Sequence, residues 1–152
     1  MKFFVFLLLF TVSINSFSQN AFSEEDAKNI INTFFEGFHS GDTLVMKSVM
    51  AKGMVMQTAY TDKKGTHKIN NDDPDGFVNN IANRPADQKW EERLLSYKVE
   101  IDGNLAHIWI PYEFWFNGSL MHCGANSFTL AKLDDGWKII HIIDSRRKDG
   151  CN

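Results

Sequence analysis

The stretch that decides the fold is Asn104–Arg147, with the sequence NLAHIWIPYEFWFNGSLMHCGANSFTLAKLDDGWKIIHIIDSRR. Two turn sequences, Asn117-Gly118 and Asp134-Asp135-Gly136, divide this apolar stretch, and each supplies a glycine for the positive φ angle that a tight hairpin needs. Long runs rich in β-branched and aromatic residues between turns predict strands. The stretch therefore predicts three consecutive strands: Asn104–Phe116, Ser119–Lys132 and Trp137–Arg146.

The second turn predicts which residues pair across the last two strands. If Asp134-Asp135-Gly136 is a three-residue loop, Asn126 pairs with Asp144 and Phe128 pairs with Ile142. Cross-strand partners share a face of the sheet, because side chains alternate along each strand. The predicted inner-face set is His122, Asn126, Phe128, Ile140, Ile142 and Asp144.

The first turn leaves two registers open. A three-residue loop ending in Gly118 pairs Tyr112 with His122, and it puts the even-numbered positions of that strand on the inner face. A two-residue loop pairs Glu113 with His122 and exchanges the two faces. We prefer the first register, because the even positions are apolar apart from one tyrosine hydroxyl. Its outer face carries Trp109, Glu113, Trp115 and Cys123.

The chain before this stretch predicts three helices. Ser23 is typical of an N-cap, Gly41 ends the first helix, and Asp42 or Thr43 begins a second. Asp73 followed by Pro74 is typical of the start of a third helix. The first helix has an apolar stripe of core type at helical spacing: Ala27, Ile30, Ile31, Phe34, Phe35 and Phe38.

Three further strands complete the predicted order α-α-β-β-α-β-β-β-β. Gly53–Thr61 and Thr66–Ile69 flank a turn sequence and predict a hairpin. Gln88–Ile101 predicts one strand, in which Leu95 and Val99 lie on the same apolar face.

The first eighteen residues are typical of a signal peptide. Lys2 precedes the apolar run Phe3–Val12, which is too short to span a bilayer, and Ser16-Phe17-Ser18 suits cleavage before Gln19. We expect residues 1–18 to be removed and residues 19–152 to form a single exported domain, periplasmic or secreted, with no membrane segment. A net charge of −3 without a basic stripe disfavours nucleic-acid binding.

Export bears on the two cysteines, Cys123 and Cys151. In an oxidising compartment such a pair favours a disulfide, which here would join the predicted strand Ser119–Lys132 to the C-terminal tail. Two free thiols, with Cys123 as a small buried residue, are the alternative.

The order of elements resembles the nuclear transport factor 2 (NTF2)-like superfamily. The stretches Pro111-Tyr112-Glu113-Phe114, His122-Cys123-Gly124 and Gly136-Trp137-Lys138-Ile139 resemble its SnoaL-like, lumazine-binding branch. The resemblance implies an α+β, cone-shaped, cystatin-like fold, with three N-terminal helices packed on a strongly curved antiparallel sheet. It also implies a deep pocket, and a homodimer formed through the outer sheet face. The branch name implies a pterin-like ligand.

Three hypotheses for function follow. The first is an exported protein that binds a small organic ligand, aromatic or polar. The second is a proton-transfer enzyme of isomerase, cyclase or dehydratase type that uses His122 with Asp144, and the third is a non-catalytic dimeric interaction module. No metal or cofactor is predicted, and Arg146 or Arg147 is expected to pair with Asp144. The predicted ligand-binding residues are Tyr112, His122, Asn126, Asp144, Phe128, Phe38 and Met56.

Overall fold

The computed structural model of the protein describes residues 21–151. The predicted signal peptide and its cleavage site lie outside the described residues. Ten elements follow one another: α1 (Glu24–Ser40), α2 (Thr43–Ser48), β1 (Met50–Thr61), β2 (His67–Asp72), α3 (Pro74–Ala82), β3 (Trp90–Leu94), β4 (Lys98–Asp102), β5 (Leu105–Phe116), β6 (Ser119–Leu133) and β7 (Gly136–Arg147).

The helix ends lie where the sequence predicts them. Ser23 forms a capping box with Asp26 at the start of α1, and Gly41 ends that helix with a φ angle of 78°. The Asp42 carboxylate accepts hydrogen bonds from two amides of α2, and Asp73 does the same for α3. Each of these signals acts within one helical turn, so local sequence suffices to fix it.

The strands form one curved sheet in the order β2-β1-β7-β6-β5-β3, and β4 pairs with β5 beyond β3. All neighbours are antiparallel except β1 and β7, which run parallel. The sheet is therefore mixed, and the prediction of a purely antiparallel sheet was wrong in this respect. The pairing of β1 with β7 joins segments from opposite ends of the domain, which no local pattern specifies.

The strand predicted over Gln88–Ile101 is two strands. Leu94 pairs with Tyr112, but Lys98 pairs with Trp109, so the chain slips by one residue between β3 and β4. Pro111 lies opposite this break and has no N–H to donate to a neighbouring strand. The slip reverses the side-chain alternation and turns the even-numbered residues of β3 to the inner face.

The Asn117-Gly118 turn has two residues, with Phe116 paired to Ser119. An irregularity at Met121 then adds one residue to β6, so that His122 lies opposite Phe114. Both predicted partners of His122 were therefore wrong. The preferred assignment of faces is nevertheless correct, because the added residue restores the even-numbered positions to the inner side.

In the second hairpin, too, the turn is one residue shorter than predicted and an added strand residue makes up the difference. Leu133 pairs with Gly136 around a two-residue turn, and an extra residue, Ile140, follows in β7. Beyond it Asn126 pairs with Asp144 and Phe128 with Ile142, as predicted. Ile140 was placed wrongly: Ile139 occupies the core position and is fully buried.

Cys123 and Cys151 form a disulfide, as the sequence favoured. Cys123 is buried and pairs with Glu113 on the outer face, so the bond fastens the tail there. No helix within residues 21–151 is long and apolar enough to cross a membrane. The main core lies on the other side of the sheet, where apolar residues of α1 and α3 pack against β5, β6 and β7.

Candidate functional site

A cavity of about 660 Å³ lies between the helices and the inner face of the sheet. One part of its lining, the aromatic end, consists of aromatic rings, and another part is polar. The lining residues are Phe34, Phe35, Phe38, Met56, Gln57, Thr58, Tyr60, Asn70, Asp72, Phe77, Trp90, Glu92, Phe114, His122, Asn126, Phe128, Ile142, Asp144 and Arg146.

The aromatic end is built from the α1 stripe and from α3. The rings of Phe34 and Phe38 lie nearly parallel to that of Phe77, at interplanar angles of 9° and 10°. Phe128 of β6 meets Phe34 and Phe35 edge-on, with centroids 6.0 Å apart in both pairs. This interlocked packing fixes the rings, so the apolar end of the cavity has a defined shape.

Glu92 and Asn126 form the first polar pair. The Asn126 amide Nδ2 donates to Glu92 Oε1 at 2.6 Å, and the backbone N–H of Glu92 donates to His39 Nε2 at 2.9 Å. Burial, reinforced by the nearby charge of Asp144, raises the pKa of Glu92 to about 7, although the Asn126 hydrogen bond works against this rise. Glu92 can therefore exchange a proton near neutral pH.

Asp144 is the centre of the second polar group. The Tyr112 hydroxyl donates to its Oδ2 at 2.8 Å, and Arg146 Nε donates to the same oxygen at 3.2 Å. Arg146, rather than Arg147, is thus the partner, because residues two apart on a strand share a face. Burial raises the pKa of Tyr112, so its hydroxyl stays protonated and remains a donor.

His122 makes no hydrogen bond to either of these carboxylates among the described residues. Its ring stacks on Phe114 at 4.9 Å between centroids and meets Tyr112 edge-on at 5.9 Å. Burial and the positive charge of Arg146 lower the pKa of His122 to about 4. Within the described part of the chain no hydrogen bond joins it to Asp144, so the two predicted catalytic residues share the cavity without forming a pair.

The rim of the cavity is polar and comes from the β1–β2 hairpin. Asp72 accepts hydrogen bonds from the Thr58 hydroxyl at 3.2 Å and from the Asn70 amide at 2.6 Å. This carboxylate is exposed, in contrast to Asp144, which is 8% exposed.

Six of the seven predicted ligand-binding residues line the cavity: Phe38, Met56, His122, Asn126, Phe128 and Asp144. Tyr112 lies behind them, where it positions Asp144. Glu92 was missed, because the predicted alternation starts at Leu95 and puts odd-numbered residues inward. The sequence held one signal for Glu92: it lies two residues from both Trp90 and Leu94, so the carboxylate shares a strand face with two apolar side chains.

The ionisation of Glu92 predicts a pH effect on stability. The folded pKa lies above the unfolded value, so Glu92 favours folding below pH 4.5, and this contribution is lost as the pH rises through 7. Glutamine does not ionise, so the Glu92→Gln variant does not lose stability in this way as the pH rises. Relative to wild type, we expect the variant to gain at most about 3 kcal/mol in free energy of unfolding between pH 5 and pH 8. Urea unfolding at both pH values measures the difference.

Glu91→Gln is the matched control. Glu91 neighbours Glu92 but bonds Arg93 and Lys89, which lower its pKa to about 2. It therefore stays ionised throughout, and its replacement should shift stability equally at both pH values. A Glu92→Gln effect that is also independent of pH would contradict the assignment.

No protein-family model matches the chain, and no curated protein matches it. Many solved structures do. An NTF2-like protein of unknown function from Pseudomonas putida is 12% identical, with a TM-score of 0.64, and the match covers 84% of this chain and 88% of that chain. A Nostoc punctiforme protein with a cystatin-like fold is 10% identical, with a TM-score of 0.61, covering 84% and 95%.

A candidate dehydratase of the NTF2-like family from Streptomyces avermitilis is also similar. It is 16% identical, with a TM-score of 0.60, and the match covers 81% of this chain and 94% of that chain. At sequence identities this low, the similarity shows a shared fold and says nothing about activity.

Proposed function

Since the chain has the NTF2-like, cystatin-like fold, we propose that it is an exported protein whose cavity binds a small organic molecule. The observation that carries the proposal is the cavity itself, which combines an aromatic end with a few convergent polar side chains. Its volume of about 660 Å³ falls within the range of about 300–1,000 Å³ that is usual for small-molecule sites.

Export is supported by two features. The sequence of residues 1–18 is typical of a signal peptide. The disulfide between Cys123 and Cys151 suits an oxidising compartment.

Trp90 offers a direct test of binding. It lines the cavity, whereas Trp109 lies on the outer face and is 44% exposed. We expect a small aromatic ligand to shift the indole N–H resonance of Trp90 in a proton–nitrogen NMR spectrum, because aromatic rings shift nearby nuclei. The Trp109 resonance should stay in place.

The variants Trp90→Phe and Trp109→Phe assign the two signals. Aromatic compounds that bind but shift only outer-face resonances would place the binding site elsewhere and overturn the proposal.

A second candidate function is proton transfer, with Glu92 in place of the predicted His122–Asp144 pair. A carboxyl whose pKa is about 7 suits general acid–base catalysis near neutral pH. The similar Streptomyces avermitilis structure is described as a candidate dehydratase. If the cavity dehydrates or isomerises a bound compound, Glu92→Gln should abolish turnover and retain binding. Turnover that persists in that variant would exclude Glu92 as the proton-transfer group.

The homodimer and the non-catalytic interaction module stay predictions. Trp109 and Leu105 are exposed on the outer face of β5, and Glu113 on the same face accepts a hydrogen bond from Trp115. Exposed apolar groups on one sheet face favour a protein contact there. Sedimentation measures the oligomeric state, and Trp109→Glu should dissociate a dimer that uses this face.

A further inference from the structure

We propose that the cavity selects ligands in which an aromatic ring carries a protonated nitrogen group, such as an amidinium or an ammonium. This inference deepens the proposed binding function and rests on it. It is carried by three side-chain oxygens on the polar wall of the cavity, one each from Asn126, Asp144 and Glu92, to which the described residues donate no hydrogen bond.

Asn126 and Asp144 provide acceptors that are built into the wall. Asn126 is 4% exposed and Asp144 8% exposed, and both line the cavity. Asn126 donates through Nδ2 to Glu92, and no donor among residues 21–151 reaches its Oδ1. Tyr112 and Arg146 both bond Oδ2 of Asp144, and Oδ1 receives no hydrogen bond from the described residues.

These two oxygens face the cavity and not a sealed interior. In the described part of the chain, every side-chain nitrogen or oxygen that is shut off from solvent has a hydrogen-bond partner. An oxygen without a donor must therefore reach open space, and for these residues that space is the cavity. A ligand that presents N–H groups would satisfy them, whereas a ligand with only acceptors would leave them unpaired at a cost.

Glu92 adds a third acceptor, and one that carries charge when ionised. Its Oε1 accepts from Asn126, and its Oε2 has no donor among the described residues. Glu92 and Trp90 are two apart on β3 and share a face, so the carboxyl adjoins an aromatic ring. An aromatic cation that contacts Trp90 can reach Glu92 with its nitrogen group.

The charges of the lining favour a cation as well. Three carboxylates, Glu92, Asp144 and Asp72, line the cavity with one guanidinium, Arg146. The Nε of Arg146 is already bonded to Asp144. His122 adds no positive charge at neutral pH, because burial lowers its pKa to about 4. The faces of the aromatic rings attract cations too, most strongly where water is excluded.

The experiment compares benzamidine, benzamide and benzoate, which are similar in size and shape and are cationic, neutral and anionic at pH 8. Titrations followed by the Trp90 indole resonance give the dissociation constants. We expect benzamidine to bind about tenfold or more tightly than benzamide, because a charge-assisted hydrogen bond is about twice as strong as a neutral one. Benzoate should bind most weakly.

Two matched variants test the assignment of the charge. Glu92→Gln keeps the shape of the wall but removes the charge, so it should reduce the preference for benzamidine over benzamide to less than about threefold. Glu91→Gln removes the neighbouring carboxylate, which bonds Lys89 and Arg93 outside the cavity, and should leave the preference unchanged.

The outcomes separate this inference from the binding function. If benzamide or benzoate shifts Trp90 and binds as tightly as benzamidine, the selection for a cation is wrong and the binding cavity stands. If the preference for benzamidine survives in Glu92→Gln, the role given to Glu92 is wrong. If none of the three compounds shifts Trp90 at millimolar concentration, both the inference and the binding function are contradicted.

Discussion

Replacing Gly124 by alanine is expected to lower the free energy of unfolding by about 3 kcal/mol, at the upper end of the usual cost of overpacking. A Cβ atom at position 124 would collide with the backbone carbonyl of Ser145 and lie 3.1 Å from Cε1 of the Tyr112 ring. Because the main obstacle is backbone, no rotation of a side chain relieves it. The strands β6 and β7 must separate locally.

The same separation would disturb the candidate site. The Ala125 amide donates to the Ser145 hydroxyl at 3.1 Å, and Tyr112 reaches Asp144 from directly beside Gly124. Urea unfolding followed by circular dichroism measures the loss. Tyr112→Phe is the comparison: it removes the hydroxyl that donates to Asp144 and to the Ser145 carbonyl without moving the backbone, and it should cost about 1.5 kcal/mol. A Gly124→Ala variant within about 0.5 kcal/mol of wild type would show that the strands are not packed as described.

The second large effect is expected from the disulfide. Cys151→Ser should lower the free energy of unfolding by about 3–4 kcal/mol, since the bond closes a loop across 28 residues and restricts the unfolded chain. Unfolding with and without a reducing agent provides the control. Reduction should bring wild type to the stability of the variant and leave the variant itself unchanged.

Counting thiols completes that test. The intact protein should show no reactive thiol before reduction and two afterwards. Two thiols before reduction, together with equal stability of wild type and Cys151→Ser, would contradict the bond.

Local signals in the sequence predicted the helices and the general fold. The caps at Ser23 and Asp73 depend on contacts within one helical turn, so the sequence specifies them directly. The prediction of the NTF2-like fold came from the order of elements, and solved structures with that fold confirm it. The parallel pairing of β1 with β7 could not be predicted, because it is decided by the folded chain as a whole.

For the last three strands, β5, β6 and β7, the sequence predicted the buried face better than it predicted the cross-strand partners. Apolar residues at alternate positions specify which side is buried, but an added residue such as Met121 or Ile140 changes a partner without leaving a pattern in the sequence. Asn126 and Asp144 were paired correctly, whereas the partners of His122 were not.

Glu92 was missed because the irregularity between β3 and β4 was not recognised in the sequence. The slip opposite Pro111 turned the even-numbered residues of β3 inward and so brought a carboxyl beside Asn126. If the inward and outward alternation predicted from Leu95 is extended back to position 92, the Glu92 carboxyl is placed on the outer face. The polar residue that matters most for the proposed chemistry was therefore the one that the sequence pattern concealed.

The central claim, that the cavity is a site for a small organic ligand, is tested most directly by native mass spectrometry of the protein purified from its own host. We predict a mass above that of the disulfide-bonded polypeptide by one small molecule, which acid denaturation releases. A polypeptide that carries no small molecule, and whose Trp90 resonance stays unmoved by every aromatic compound tried, would contradict the claim.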